Sequence, residues 1–283
     1  MIRIRTMTAE DLPLGMRLKG QAGWNQTEGD WRRFLAMQPD GCLVAELGGV
    51  AVGTSVVTAF DAVAWISMVL VEQSVRGRGV GKALMIRAVK LAEELGCTTI
   101  RLDATPLGRP LYESLGFVPQ YELTRFAGDG VECLSPNSTR QVVRIGGSDE
   151  YAAILALDAS ATGANRDKFL RRLFTEEPGE VRVTETSGRI DGYLTVRRGS
   201  DAIQLGPCIA ETDGTGCTLL TDALSRYAGS WVYWDLPSSH LAAAQLAESV
   251  GLAPQRQLLR MCRGEGVNDD VARLWASSGP ELG

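Results

Sequence analysis

The chain repeats itself, and this limits its possible folds more than any other feature. GVGKALM at residues 79–85 returns as GTGCTLL at 214–220, and LYESLGF at 111–117 returns as LAESVGL at 246–252. Ahead of these, WRRFL at 31–35 answers LRRLF at 170–174, and the glycine-turn hairpin at 42–57 answers the one at 181–196. Two stretches that run through the same pieces in the same order predict a tandem duplication of one folding unit. The 283 residues suit two domains at roughly 100–200 residues each and exclude a single small module. Gly, Ser, Pro and Asn cluster over residues 129–140, which places the boundary there. The expected organisation is a first domain over 1–130, a second over 140–265 and a tail over 266–283, in which VARLW (271–275) is a helix-forming stretch.

Within the first unit the periodicity predicts a strand at 2–5 and a helix at 9–18 that opens at Thr8 and Asp11. Runs at 42–46 and 50–58 flank Leu47-Gly48-Gly49, a turn that accepts positive φ, and so pair as a hairpin. A strand follows at 64–71, then an amphipathic helix at 81–95 closed by Gly96, a strand at 98–103 and a short helix at 110–115. Residues 24–31 read as part of a loop region. The sum is an α+β unit, a mixed antiparallel and parallel sheet flanked by helices, present twice.

Charge and cysteine usage narrow the function. The 29 Lys and Arg against 34 Asp and Glu leave a net charge of −5, which offers no general attraction to nucleic acid or anionic lipid. The six cysteines form no CxxC pair, and the lone His240 cannot complete a zinc site, so no metal is expected and the thiols read as reduced, cytoplasmic ones. The N-terminus lacks the apolar core of a signal peptide, and no window approaches the ~18 apolar residues of a membrane span.

The chemistry concentrates at Arg76-Gly77-Arg78-Gly79-Val80-Gly81-Lys82, between a predicted strand and a predicted helix. Glycines let the backbone turn tightly and approach a ligand, and the N–H groups at a helix start attract an anion. Three cations surround the turn, so a pyrophosphate is the natural guest. A Walker A loop would place Ser or Thr after the lysine, where Ala83 stands, and a dinucleotide fingerprint would place glycine where Lys82 stands. Both nucleotide alternatives are disfavoured.

The turn resembles the Arg/Gln-x-x-Gly-x-Gly/Ala signature of the GNAT acetyltransferase superfamily, and LYESLGF resembles that family's later tyrosine and glycine-aromatic motif. The resemblance covers about residues 64–119 in order and spacing. It implies that Val69, Leu70 and Val71 line the pantetheine arm of acetyl-CoA, and that Arg76, Gly77, Arg78, Gly79, Val80, Gly81 and Lys82, with Thr105, hold the cofactor. It further implies Tyr112 as the acid that protonates the departing thiolate, and the N–H of Val71 as the group that polarises the carbonyl. The implied activity is acetyl-CoA-dependent transfer to a primary amine, with a small-molecule acceptor by default and a peptide or protein amine as the other option. The runner-up is a non-catalytic acyl-CoA sensor or scaffold.

No general base emerges. Strand 64–71 carries no carboxylate, and Asp30, Glu46, Asp61 and Asp103 are candidates by location alone. Trp24, Asn25, Asp30 and Trp31, and in the second repeat Trp231, Tyr233 and Trp234, are candidate acceptor-site residues or core. The second repeat lacks the arginine–glycine element and has Ala247 at the tyrosine position, so it is expected to keep the fold and lose the chemistry.

Overall fold

The computed structural model describes residues 1–130 and 141–283. The chain forms two compact units. Unit 1 comprises Met1–Pro119 with Met261–Gly266, and unit 2 comprises Gln120–Arg260 with Val267–Glu281. The expected boundary at 129–140 falls almost wholly outside the described residues.

Unit 1 runs β1 (Ile2–Thr6), α1 (Leu12–Ala22), α2 (Glu28–Met37), β2 (Cys42–Leu47), β3 (Val50–Phe60), β4 (Val63–Val71), α3 (Val80–Glu94), β5 (Thr99–Ala104) and α4 (Arg109–Ser114). β1 to β4 are antiparallel neighbours in sequence order, and β5 joins β4 in parallel. A parallel neighbour needs a crossover, which α3 supplies. The mixed sheet flanked by helices is the expected one. Residues 28–31, read as part of a loop, instead open the helix α2. Thr27 and Asp30 cap α2 reciprocally, with the Thr27 N–H donating to Asp30 Oδ2 at 2.7 Å. Trp31 is fully buried edge-on to Phe34 and lies so close to α1 that a Cβ on Gly15 would stand 2.7 Å from its ring.

Unit 2 repeats the order with β7 (Arg144–Ile145), α5 (Tyr151–Thr162), α6 (Asp167–Glu176), β8 (Arg182–Thr186), β9 (Arg189–Arg198), β10 (Ile203–Ala210), α7 (Asp213–Arg226), β11 (Trp231–Pro237) and α8 (Leu241–Ser249). The closing strands do not follow the repeats. β6 (Val118–Asp129), which follows α4, pairs with β11 inside unit 2. β12 (Ala253–Gly264) ends in unit 1, where Glu265 and Thr98 bond through their backbones and Thr99 Oγ1 donates to the Glu265 carbonyl at 2.6 Å. The segment read as a tail also belongs to the fold. VARLW is not a helix: it ends in the short strand β13 (Leu274–Ala276), fully buried against β10.

Unit 2 is tied together by a buried charge cluster. Arg166 clamps Asp158 with two bonds of 2.6 and 3.0 Å, and Tyr193 donates to the same carboxylate at 2.5 Å. Asp158→Ala removes the carboxylate that Arg166 clamps with two bonds and that Tyr193 also reaches, and the expected loss is about 3–5 kcal/mol. Denaturant titration of the variant reads it; an unchanged midpoint would contradict this account.

Candidate active site

The site in unit 1 begins where β4 and β5 part. Their ladder runs only from Val63/Thr99 to Trp65/Arg101, so beyond Trp65 β4 has no β5 partner and, among the described residues, its edge stands open. A bulge follows immediately. Ser67 faces Val56 and Leu70 faces Thr54, so Met68 and Val69 together oppose Ser55. Met68 adopts φ +51°, a conformation uncommon for a side-chain-bearing residue, and Thr54 Oγ1 fixes its carbonyl at 2.9 Å. Past the bulge Val69 and Val71 are half-buried while Leu70 points into the core. No local sequence signal marks this bulge.

The turn after β4 is held from behind. Arg17 and Gln21 of α1 both bond Glu72, and the Gln73 N–H donates to Gln21 Oε1 at 3.3 Å. Ahead of it Gly77 and Gly79 take φ +77° and +82°, where a side chain would be strained. Gly79 is the N-cap of α3, and no side chain caps that helix. The first-turn N–H groups of Val80, Gly81 and Lys82 therefore have no intrahelical acceptor and leave the positive end of the helix dipole uncapped. Arg76 folds back so that its Nε donates to the Val71 carbonyl at 3.1 Å. Arg76, Arg78 and Lys82 are exposed and pair with no carboxylate among the described residues. The geometry is a glycine turn ringed by cations at an uncapped helix start.

Tyr112 sits in α4. Its ring packs against Phe117 at 6.2 Å between centroids, and only 9% of the residue is exposed. Its hydroxyl has no hydrogen-bond partner among the described residues, and burial pushes the phenol up to about 12. It is therefore neutral across the physiological range, with a proton to give. A residue that the sequence reading passed over sets its position: a Cβ on Gly108 would lie 2.8 Å from Tyr112 Cε2 and 3.1 Å from its hydroxyl. Gly108→Ala is expected to push the ring aside and lower kcat by about 10-fold or more, as small misplacements of reacting groups do. Wild-type turnover in that variant would show that the ring position is unimportant. Thr105 opens the turn before α4, where the Gly108 N–H donates to its Oγ1 at 3.2 Å, so it shapes this end of the site.

The candidate bases have other partners. Asp30 caps α2 and pairs with Arg33 at 2.7 Å, and Glu46 pairs with Arg5 at 2.7 Å. Asp61 lies in the β3–β4 turn at φ +52°, and Asp103 is half-buried on β5. Among the aromatic candidates, Trp31 is core and Trp24 is half-buried after α1. Trp234, in unit 2, is fully buried, Tyr233 carries the Arg125 guanidinium over its ring at 4.4 Å, and Trp231 is exposed. His240 caps α8 and is buried. Among the described residues no group of three or more His, Cys, Asp or Glu could hold a metal, and no helix is long and apolar enough to cross a membrane.

Comparison with known proteins agrees with the fold. Residues 8–117 match the model of the acetyltransferase (GNAT) family, and residues 154–276 match that of an acetyltransferase (GNAT) domain. The chain thus belongs to the GNAT superfamily as a tandem-domain acyltransferase. It is 25% identical to the holothin acyltransferase of Pseudoalteromonas sp. (strain SANK 73390) over 92% of this chain and 87% of that one. Among solved structures, a Pyrococcus horikoshii protein provisionally described as an acetyltransferase superposes with a TM-score of 0.83 at 22% identity, covering 100% of this chain and 96% of that one. A tandem GNAT protein of the clavulanic acid biosynthesis pathway superposes with a TM-score of 0.68 at 17% identity, covering 95% and 100%.

Proposed function

We propose that unit 1 transfers the acetyl group of acetyl-CoA to the primary amine of a small molecule, and that the second repeat, residues 140–265, carries no acyl-CoA chemistry. The observation that carries this reading is the meeting in one unit of an open strand edge, an uncapped cationic helix start and a buried, unpartnered phenol. In this reading Arg76, Gly77, Arg78, Gly79, Val80, Gly81 and Lys82 hold the pyrophosphate, chiefly through backbone N–H groups and local charge. The edge at Val69, Leu70 and Val71 receives the pantetheine amides, and Thr105 supports the far wall. The neutral amine attacks the thioester carbonyl carbon, with the Val71 N–H polarising its oxygen. The carbon–sulfur bond breaks, and the thiolate takes the Tyr112 proton. The amine releases its own proton to water.

The relative named for holothin and the tandem protein of clavulanic acid biosynthesis are both tied by name to small molecules, which supports a small acceptor. A screen of primary amines with acetyl-CoA, read by release of free thiol, tests the reading, with peptides bearing a free N-terminus as the competing arm. Turnover confined to the peptides would overturn the choice of acceptor, and no turnover with any amine would overturn the activity.

A further inference from the structure

In unit 2, β10, α7, β11 and α8 follow the order that β4, α3, β5 and α4 hold in unit 1. Their parallel ladder is equally short, running from Ile203/Val232 to Leu205/Trp234. Beyond it the two strands part, as in unit 1, but here the gap is filled. β13 enters it and pairs antiparallel with β10, Cys208 opposite Ala276 and Ile209 opposite Leu274. The Ala210 N–H donates to the Arg273 carbonyl at 3.0 Å, and on the other side the Ser277 N–H donates to the Asp235 carbonyl of β11 at 2.8 Å. Trp234 Nε1 donates to the Trp275 carbonyl at 2.7 Å.

We propose that the gap between β10 and β11 is a strand-accepting site whose resident ligand is the chain's own segment 272–277, an internal occupant of the second cleft.

Three features show a site shaped to this occupant. A Cβ on Gly216, in the first turns of α7, would stand 2.1 Å from the Trp275 ring, and one on Gly206 would stand 2.2 Å from the Ser277 carbonyl oxygen. By contrast, a Cβ on Gly81, the counterpart of Gly216, meets nothing closer than 3.7 Å. His240 latches the segment from α8: its Nδ1 accepts from the Ala243 N–H at 3.3 Å, which leaves Nε2–H to donate to the Ala272 carbonyl at 3.0 Å. Its ring meets Trp275 edge-on at 4.6 Å. The helix end is closed as well. Thr212 Oγ1 accepts from the Thr215 N–H, Asp213 lies in the first turn, and the buried Asp191 carboxylate accepts from Thr186 at 2.6 Å and Gln141 at 2.5 Å beside Thr215. Occupation by the chain itself thus accompanies the loss of the arginine–glycine element, and both exclude an acyl-CoA arm from this unit.

Hydrogen exchange on the full-length protein, with and without saturating acetyl-CoA, tests this. The expected result is that residues 206–211 and 272–277 exchange as slowly as the core of unit 2 and that acetyl-CoA leaves them unchanged. Fast exchange at 272–277, or a response to acetyl-CoA at 206–211, would overturn the proposal. Gly216→Val drives a side chain into the Trp275 ring and is expected to raise exchange at 272–277 at least 100-fold and to expose Cys208, buried in the wild type, to iodoacetamide, while Cys97 of unit 1 stays protected. Unchanged protection in that variant would also overturn it, and if the variant does not fold, the wild-type exchange decides alone. The inference does not rest on unit 1: absence of an acetyl-CoA response at residues 69–82 would count against the proposed function and leave the occupant of unit 2 in place.

Discussion

Tyr112→Phe is expected to lower kcat by about 10²–10⁴-fold, the usual contribution of a positioned general acid, while leaving acetyl-CoA affinity within about 3-fold. The substitution removes one oxygen that makes no hydrogen bond among the described residues, and it keeps the ring packed on Phe117 and against Gly108. Folding therefore has little to lose, and the effect falls on the chemical step alone. The pH profile gives a second check. A phenol at about 12 holds its proton below that value, so loss of this proton produces no fall in kcat below about pH 11. Turnover by Tyr112→Phe equal to wild type would remove Tyr112 from the acid role, whereas a fall in wild-type kcat near pH 9 that vanishes in the variant would keep the role and contradict the raised pKa.

The double substitution Gly79→Val, Gly81→Val is expected to weaken acetyl-CoA binding by about 10²–10⁴-fold. Hydrogen bonds to charged groups contribute about 1.5–3 kcal/mol each, and two lost bonds at about 1.4 kcal/mol per tenfold give that range. The two positions act differently. Gly79 at φ +82° is the helix N-cap, so a β-branched residue there distorts the entry to α3, whereas Gly81 has room for a Cβ but would cover the first-turn N–H groups with a bulky one. Affinity within 3-fold of wild type would mean that the pyrophosphate lies elsewhere.

The cradle was legible in the sequence because its chemistry is local: glycines needed for positive φ and cations around a helix start lie within seven residues of one another. The hairpin at Leu47-Gly48-Gly49 was legible for the same reason. Pairing across distance was not. Nothing in residues 118–129 says that they join β11 and not β5, because a strand's pattern marks which face is buried and not which strand lies beside it. Residues 271–275 have helix-forming side chains, yet the open edge of β10 offers their backbone a ladder and Gly216 offers Trp275 a berth, and tertiary packing overrides propensity. Residues 28–37 carried a usable signal that was not taken up, the Thr27-x-x-Asp30 capping pair. The bulge at Met68 had none: its positive φ goes with a register shift between strands far apart in sequence, at Thr54 and Val56, which no local pattern records.

The central claim is that acetyl-CoA is held in unit 1 and in no second place. Calorimetric titration of the wild-type chain with acetyl-CoA tests it most directly, and the account predicts one site per chain, lost in the Gly79/Gly81 variant. No binding, or two sites per chain, would contradict it.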